Sequence, residues 1–302
     1  MSYKAGFLGL IGQPNAGKST LMNFLVDEKV SIVSAKPQTT RRRILGMWST
    51  DKGQIVFVDA PGLIKAEKGL NGFLEKEAQD VIRSSDALIA VISIDEQKAD
   101  DAMKVIELVS QSGKPWIGVI TKTDIEDKAH RIMILKRMIE EKGVKAFSLS
   151  VNQSADDVAE REAMLIEFLE LMPESPAPLY DTELFTNENI REMATEIIRE
   201  KCFEVLHQEI PYSLAVRIIK FDEESASVPK IHAEIMVSKE GHKGIVVGKE
   251  ARTIKEIGTL ARKEIEKLMD QKVFLDLNVA VKEAWFENKR MMKELGYVAD
   301  SE

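Results

Sequence analysis

Gly12-Gln13-Pro14-Asn15-Ala16-Gly17-Lys18-Ser19 directly follows the apolar run 7–11 and opens an amphipathic stretch carrying Leu21, Phe24 and Leu25. This is the pattern G-x-x-x-x-G-K-S/T in its required setting, between a strand and a helix. The residue types have a physical logic. Glycines let backbone N–H groups close around a polyphosphate, and the helix N-terminus adds partial positive charge. Lys18 supplies a point charge for the outer phosphates. The Ser19 hydroxyl suits Mg²⁺, a hard cation that prefers oxygen ligands. Asn15, Ala16 and Thr20 complete the expected phosphate-binding set.

Working outward, the runs 54–58, 87–92, 116–120 and 146–149 alternate with helical stretches such as 71–84 and 99–111. Ala87-Leu88-Ile89-Ala90-Val91-Ile92 is continuously apolar, as a strand covered on both faces must be. The pattern predicts an α/β, doubly wound and mostly parallel sheet. Asp59-Ala60-Pro61-Gly62 follows the second of these runs, where a carboxylate can stand behind a metal and the Gly62 N–H can face a γ phosphate. Thr121-Lys122-Thr123-Asp124 ends another, at the carboxyl edge where such sheets bind ligands. The Asp124 carboxylate can accept from both the N1–H and the 2-amino group of guanine, a donor pair adenine lacks, so the expected nucleotide is GTP rather than ATP.

At 302 residues the chain is long enough for two domains. Pro173, Pro176 and Pro178 break any helix within a short span, so residues 1–172, a connector at 173–180 and a second domain at 181–302 are expected. The second half reads as helix 189–207, strands 213–221 and 231–237, helix 254–269 and strand 273–281, a separate α+β module. A net charge of −8 excludes a uniformly basic surface, so any nucleic-acid contact needs a local patch. Residues 239–272 supply one, with nine Lys or Arg against six Asp or Glu. One cysteine, Cys202, excludes an internal disulfide and fits a reducing, cytoplasmic compartment; its helical neighbours Ile198 and Leu206 make it a core residue.

With these motifs in place, the chain resembles the Era family of GTPases, in the TrmE-Era group, across both halves. In that resemblance G1 is 12–19, G2 is Gln38-Thr39-Thr40-Arg41, G3 is 59–62 and G4 is 121–124. Ile197-Ile198-Arg199-Glu200-Lys201 and then Glu209-Ile210-Pro211-Tyr212-Ser213 look like the start of a type II KH domain. The resemblance implies a P-loop GTPase domain joined to a KH RNA-binding domain, in a GTP-binding and hydrolysing switch. It also implies binding to the 3′ region of 16S rRNA and assistance to maturation of the 30S ribosomal subunit. The implied protein is a cytoplasmic monomer, with peripheral contact at the inner face of the cell membrane as a secondary expectation. Thr40 becomes the switch I threonine, which would share Mg²⁺ with Ser19 and Asp59. Catalysis would rest on Asn15, Lys18, Thr40 and Gly62. GTP or GDP would also meet Thr121, Lys122, Asp124 and a G5 pair, Ser150 and Val151. Leu63 stands where Ras-like enzymes carry a water-orienting glutamine. Asn15 occupies the place from which related GTPases hold a potassium ion, so K⁺ is implied as a further cofactor.

The resemblance also places a KH phosphate-clamping loop at Gly248-Lys249-Glu250-Ala251, flanked by Lys243, Arg252 and Lys255. Three positions depart from the family pattern. Thr121 replaces the usual asparagine and is expected to have less reach toward the phosphate loop. Val151 replaces an alanine at G5. Ala251 replaces the loop's second glycine; at a helical φ below zero an alanine would fit, with its Cβ holding an RNA backbone farther away. Together they motivate an alternative reading, an RNA-binding assembly scaffold with a weakened or non-hydrolysing nucleotide site.

Overall fold

Three strands of the N-terminal half are buried along nearly their whole length, which requires helices on both faces of their sheet. A computed structural model describes residues 2–34, 36, 39–63, 69–95, 99–125, 129–151, 155–223 and 228–297. Its contacts divide the chain into two compact units, Met1–Glu67 with Leu74–Asn187, and Lys68–Phe73 with Glu188–Glu302.

In the first half the order is β1 (Lys4–Ile11), α1 (Lys18–Val26), β2 (Ile44–Thr50), β3 (Gly53–Asp59), α2 (Gly69–Ser84), β4 (Ala87–Ser93), α3 (Ala99–Gln111), β5 (Trp116–Thr121), α4 (Ala129–Glu140), β6 (Ala146–Ser148) and α5 (Ala155–Glu170). The sheet runs β2-β3-β1-β4-β5-β6, parallel except for β2 against β3. One core joins Leu21, Met22 and Leu25 of α1 to Met164 and Phe168 of α5. The other joins Val105 and Val109 of α3 to Leu135 and Ile139 of α4. The strand order reverses at β1, so the loop after β1 emerges at the switch point, where open α/β sheets bind their ligands. Register does the rest: Leu10 pairs with Asp59 and Ser93 with Thr121, which brings the ends of β1, β3, β4 and β5 to one edge.

β2 was not foreseen. Arg41-Arg42-Arg43 leads straight into it. Arg41 is buried, and Arg43 donates to the buried Glu77 carboxylate at 2.8 Å. The connector expected at 173–180 packs along the first unit, and the two units divide between Asn187 and Glu188. Buried Gln54 accepts from the backbone N–H groups of Leu179 and Tyr180 at 2.8 and 2.9 Å and donates to the Tyr180 carbonyl at 2.9 Å. Beyond it the Met47 N–H donates to the Phe185 carbonyl at 2.9 Å, Gly46 bridges to Thr186, and the Thr186 hydroxyl donates to the Leu45 carbonyl at 2.8 Å.

The second unit continues with α6 (Ile190–Val205), α7 (Ile210–Ser213), β7 (Ala215–Asp222), β8 (Lys230–Val237), α8 (Glu240–Val247), α9 (Arg252–Met269), β9 (Phe274–Val281) and α10 (Lys289–Glu294). Asn189 and Glu192 close a reciprocal capping box at the start of α6. β8 pairs antiparallel with β7 and parallel with β9. The core is formed by Ile198 and Cys202 of α6, Ile257, Ala261 and Ile265 of α9, and the inward residues of the strands. Ser213, expected at the start of a strand, closes the short helix α7 instead, because Pro211 presets a helical φ in its first turn. The stretch 285–292 is docked through Trp285, which is fully buried and donates its indole N–H to the Ser213 carbonyl at 2.8 Å. Among the described residues no helix is long and apolar enough to cross a membrane.

Candidate functional site

The loop between β1 and α1 borders a cavity of about 320 Å³. Asn15, Gly17, Lys18, Ser19, Thr20, Thr40, Gly62 and Lys122, all named as site residues from the sequence, line it. Gly12, Ala16, Asp59 and Thr121 are buried behind that wall. The Lys18 ammonium donates to the Gly12 and Gln13 carbonyls at 3.1 and 3.0 Å, which holds it at the loop. Gly62 packs so closely on the loop that a Cβ there would lie 2.6 Å from the Pro14 Cα. The adjoining Leu63 N–H donates to the Gly12 carbonyl at 3.2 Å.

Oxygen atoms converge on Asp59. Its Oδ2 accepts from the hydroxyls of Ser19 at 2.5 Å, Ser31 at 3.0 Å and Thr40 at 3.4 Å, and the Ser19 and Thr40 oxygens are 2.9 Å apart. Burial pushes the carboxyl's pKa above its ordinary value; the Lys18 charge and the three hydroxyl donors offset part of that rise. Among the described residues, Asp59 Oδ1 is buried without a hydrogen-bond partner. An all-oxygen donor set with an orphaned buried carboxylate oxygen fits Mg²⁺, whose charge would restore the ionised carboxylate. Among the described residues no three His, Cys, Asp or Glu side chains converge on a common point, so the hydroxyls are essential to such a site.

At the neighbouring edge, the Thr121 hydroxyl donates to the Ala16 carbonyl at 2.7 Å. The side chain expected to have less reach still makes this one bond, because the register of β4 and β5 carries the Thr121 backbone close enough for a short side chain. It removes one motive for the scaffold alternative. Lys122, at a left-handed φ of 59°, donates to Asp95 at 2.9 Å. Asp124 is exposed, and no protein partner holds its carboxylate among the described residues. The Leu149 N–H donates to the Ile120 carbonyl at 2.9 Å, which sets the chain before Ser150 and Val151 beside the loop of Asp124; Val151 packs partly buried on the core. Ser150, Val151 and Asp124 do not line the cavity. Gln38 of G2 lies outside the described residues. Sequence reading missed Asn23, Ser31 and Asp95. Asp95, two residues beyond β4, could have been found from its position at the same sheet edge.

In the second unit a separate groove runs between α9 and β9, bordered by Ile254, Lys255, Gly258, Thr259, Arg262, Leu275, Asp276 and Leu277. Of these only Lys255 was foreseen. The signal lay in Gly258, a helix-interior glycine one turn from Ile254 and Arg262 that leaves room above Leu277. At the head of α9, Gly248 has φ 73° and ψ 171°, a conformation essentially restricted to glycine, and a Cβ would collide with Thr253. Ala251 does not meet the condition under which an alanine fits without strain: its φ is 59°, left-handed, because the loop reverses direction before α9 begins. Lys249, Arg252 and Lys255 are exposed and Lys243 is half-buried; Arg252 pairs with Glu250 at 3.1 Å.

A strand-loop-helix phosphate loop beside a cluster of hydroxyls on a buried carboxylate at one edge of a doubly wound sheet, followed by an α-β-β-α-α-β module, defines a P-loop GTPase joined to a type II KH domain. A family model described as 50S ribosome-binding GTPase matches residues 7–122, and one described as KH domain matches residues 209–286. GTPase Era of Syntrophus aciditrophicus is 37% identical over 296 residues, covering 98% of this chain and 95% of that protein. GTPase Era of Geobacter sp. (strain M21) is 38% identical over 299 residues, covering 98% of each. Era solved in complex with MgGDPNP and nucleotides 1506–1542 of 16S ribosomal RNA superposes with a TM-score of 0.90 at 30% identity, covering 98% of this chain and 100% of that one. An Aquifex aeolicus Era variant bound to GDP·AlF4⁻ gives 0.89 at 30% identity and the same coverage. The chain belongs to the Era GTPase family.

Proposed function

We propose that this GTPase is a switch that binds 16S rRNA near its 3′ end and assists maturation of the 30S subunit. The observation that carries the reading is the meeting of Ser19, Thr40 and Asp59. It joins the phosphate helix to the loop before β2 and to the end of β3, so the state of one γ phosphate is felt by both segments. Ser19 and Thr40 would hold Mg²⁺ with Asp59 behind them, and the bound cation would neutralise charge developing on the β and γ phosphates. Lys18 supplies a second positive charge to the same phosphates, and the Gly62 N–H faces the transferred group. Asp124 reads the guanine edge, and Lys122, Ser150 and Val151 border the base.

Water must be oriented without a glutamine, because Leu63 packs against the apolar core. Asn15 is exposed at the cavity, with its side chain free of protein partners among the described residues. We assign it to a potassium ion beside the β and γ phosphates. Unassisted turnover is then slow, on the order of 10⁻⁴ s⁻¹. In the KH domain the groove between α9 and β9 takes unstacked bases, while the Gly248 loop with Lys243, Lys249, Arg252 and Lys255 meets phosphates. The same reading has the chain act as a cytoplasmic monomer, with peripheral membrane contact as its secondary expectation.

Calorimetric titration of GTP, GDP and ATP with Mg²⁺ tests the nucleotide site. Asp124→Ala is expected to lose guanine preference; equal wild-type affinity for ATP and GTP overturns the assignment. Replacing potassium by sodium during turnover tests Asn15. Binding of the 16S 3′ segment by the Lys249→Glu, Arg252→Glu double variant tests the patch, and unchanged affinity at low salt defeats it.

A further inference from the structure

Asn23, on α1, closes on the residues that lead into the cavity wall. Its Oδ1 accepts from the N–H groups of Val30 and Ser31 at 3.0 and 2.9 Å, and its Nδ2 donates to the Ser31 carbonyl at 2.7 Å. Held this way, Ser31 is buried and its hydroxyl donates to Asp59 Oδ2 at 3.0 Å. Three hydroxyls reach that oxygen, but only Ser19 and Thr40 line the cavity; Ser31 does not. Ser31 therefore supports the carboxylate from the protein side. The residues immediately after it, Ile32, Val33 and Ser34, form part of the cavity wall.

We propose that Asn23 and Ser31 form a clasp that orients Asp59 for Mg²⁺ and fixes the upstream end of the segment leading to Thr40, which makes Ser31 a positioning residue. The inference rests on the Mg²⁺-nucleotide reading above. Its physical content is directional. With Ser31 donating to Oδ2 from behind, the carboxylate plane is set before the cation arrives. Without that donor the carboxylate turns, and both oxygens compete for the Ser19 hydroxyl. Lys18 and the phosphate loop are untouched, so the grip on the nucleotide itself should persist.

The test is the release rate of a fluorescent GDP analogue from the full chain across free Mg²⁺ concentrations. For wild type, Mg²⁺ slows release with a defined midpoint. Ser31→Ala is expected to raise that midpoint about tenfold, with release in excess EDTA unchanged. Ser31→Thr restores the wild-type midpoint, and Asn23→Ala shifts it in the same direction as Ser31→Ala. An unshifted Ser31→Ala midpoint overturns the clasp, as does an equal acceleration with and without Mg²⁺, the mark of a purely structural role. Should Ser31→Ala fail to fold, Ser31→Cys keeps the volume with a weaker donor; an intermediate shift supports the clasp and a wild-type midpoint overturns it. Mg²⁺-insensitive release from wild type would instead overturn the nucleotide reading, and the clasp with it.

Discussion

The Thr121 hydroxyl and the Ala16 carbonyl oxygen are 2.7 Å apart, a buried hydrogen bond that ties the end of β5 to the phosphate loop across 105 residues of sequence. Thr121→Val keeps the shape and removes the donor, leaving a buried carbonyl unpaired at a cost of about 1–3 kcal/mol. GTP and GDP affinity should fall about tenfold or more, while Thr121→Ser stays near wild type. Fluorescent-nucleotide titration decides it, and equal affinity for the valine variant would show that the tie does not serve binding.

Gly62 leaves no room for a side chain, because its Cβ would press on the Pro14 backbone rather than on a flexible tip. Gly62→Ala should displace the loop after β3 and lower the hydrolysis rate by about tenfold or more. GDP binding, which needs no γ-phosphate contact, should change little. Single-turnover kinetics beside GDP titration separate the two effects.

Ala251 holds a left-handed φ of 59° that costs a non-glycine residue about 1–2 kcal/mol. Ala251→Gly should therefore stabilise the KH unit by about 1 kcal/mol and tighten RNA binding by bringing backbone nearer to phosphate. Urea unfolding and filter binding measure the two. A destabilised glycine variant would count against the strained conformation.

Burial pushes the Cys202 thiol up to about 12 from 9.0. The native state thus keeps its proton where the unfolded chain has lost it. The associated stability is fully present below about pH 9 and falls as pH rises toward 12. At pH 8 the native thiol should react with a disulfide reagent only on unfolding, whereas the urea-unfolded chain should react promptly. Fast native labelling would place Cys202 outside the core.

How far the sequence could be read depended on whether each feature is local. β4 and β5 were legible because continuous apolarity has one reading in a covered sheet, and the phosphate loop because its strand and helix flank it in sequence. β2 was not, since Gly46, Ser49 and Thr50 dilute its pattern and its partner β3 supplies the pairing. Ser31 looked like any loop serine; only the fold brings it to Asp59. The left-handed φ of Ala251 comes from the path of the chain between two helices, which composition cannot report. That Thr121 could donate one bond was legible from its hydroxyl, but its partner Ala16 was not, because that depends on strand register. In the KH unit, helix spacing located α9 but not the groove beside it, which needs β9 in place.

The pairing of Phe185 and Thr186 with β2 covers the outer margin of the six-stranded sheet. A strand left bare there would offer its main-chain donors and acceptors to any similar strand, including that of another copy. Residues 185–186, just past the connector, thus occupy the edge that such pairing would need. A truncated GTPase fragment ending before Phe185 would lose them and tend to aggregate, whereas one ending after Asn187 would keep its margin sealed.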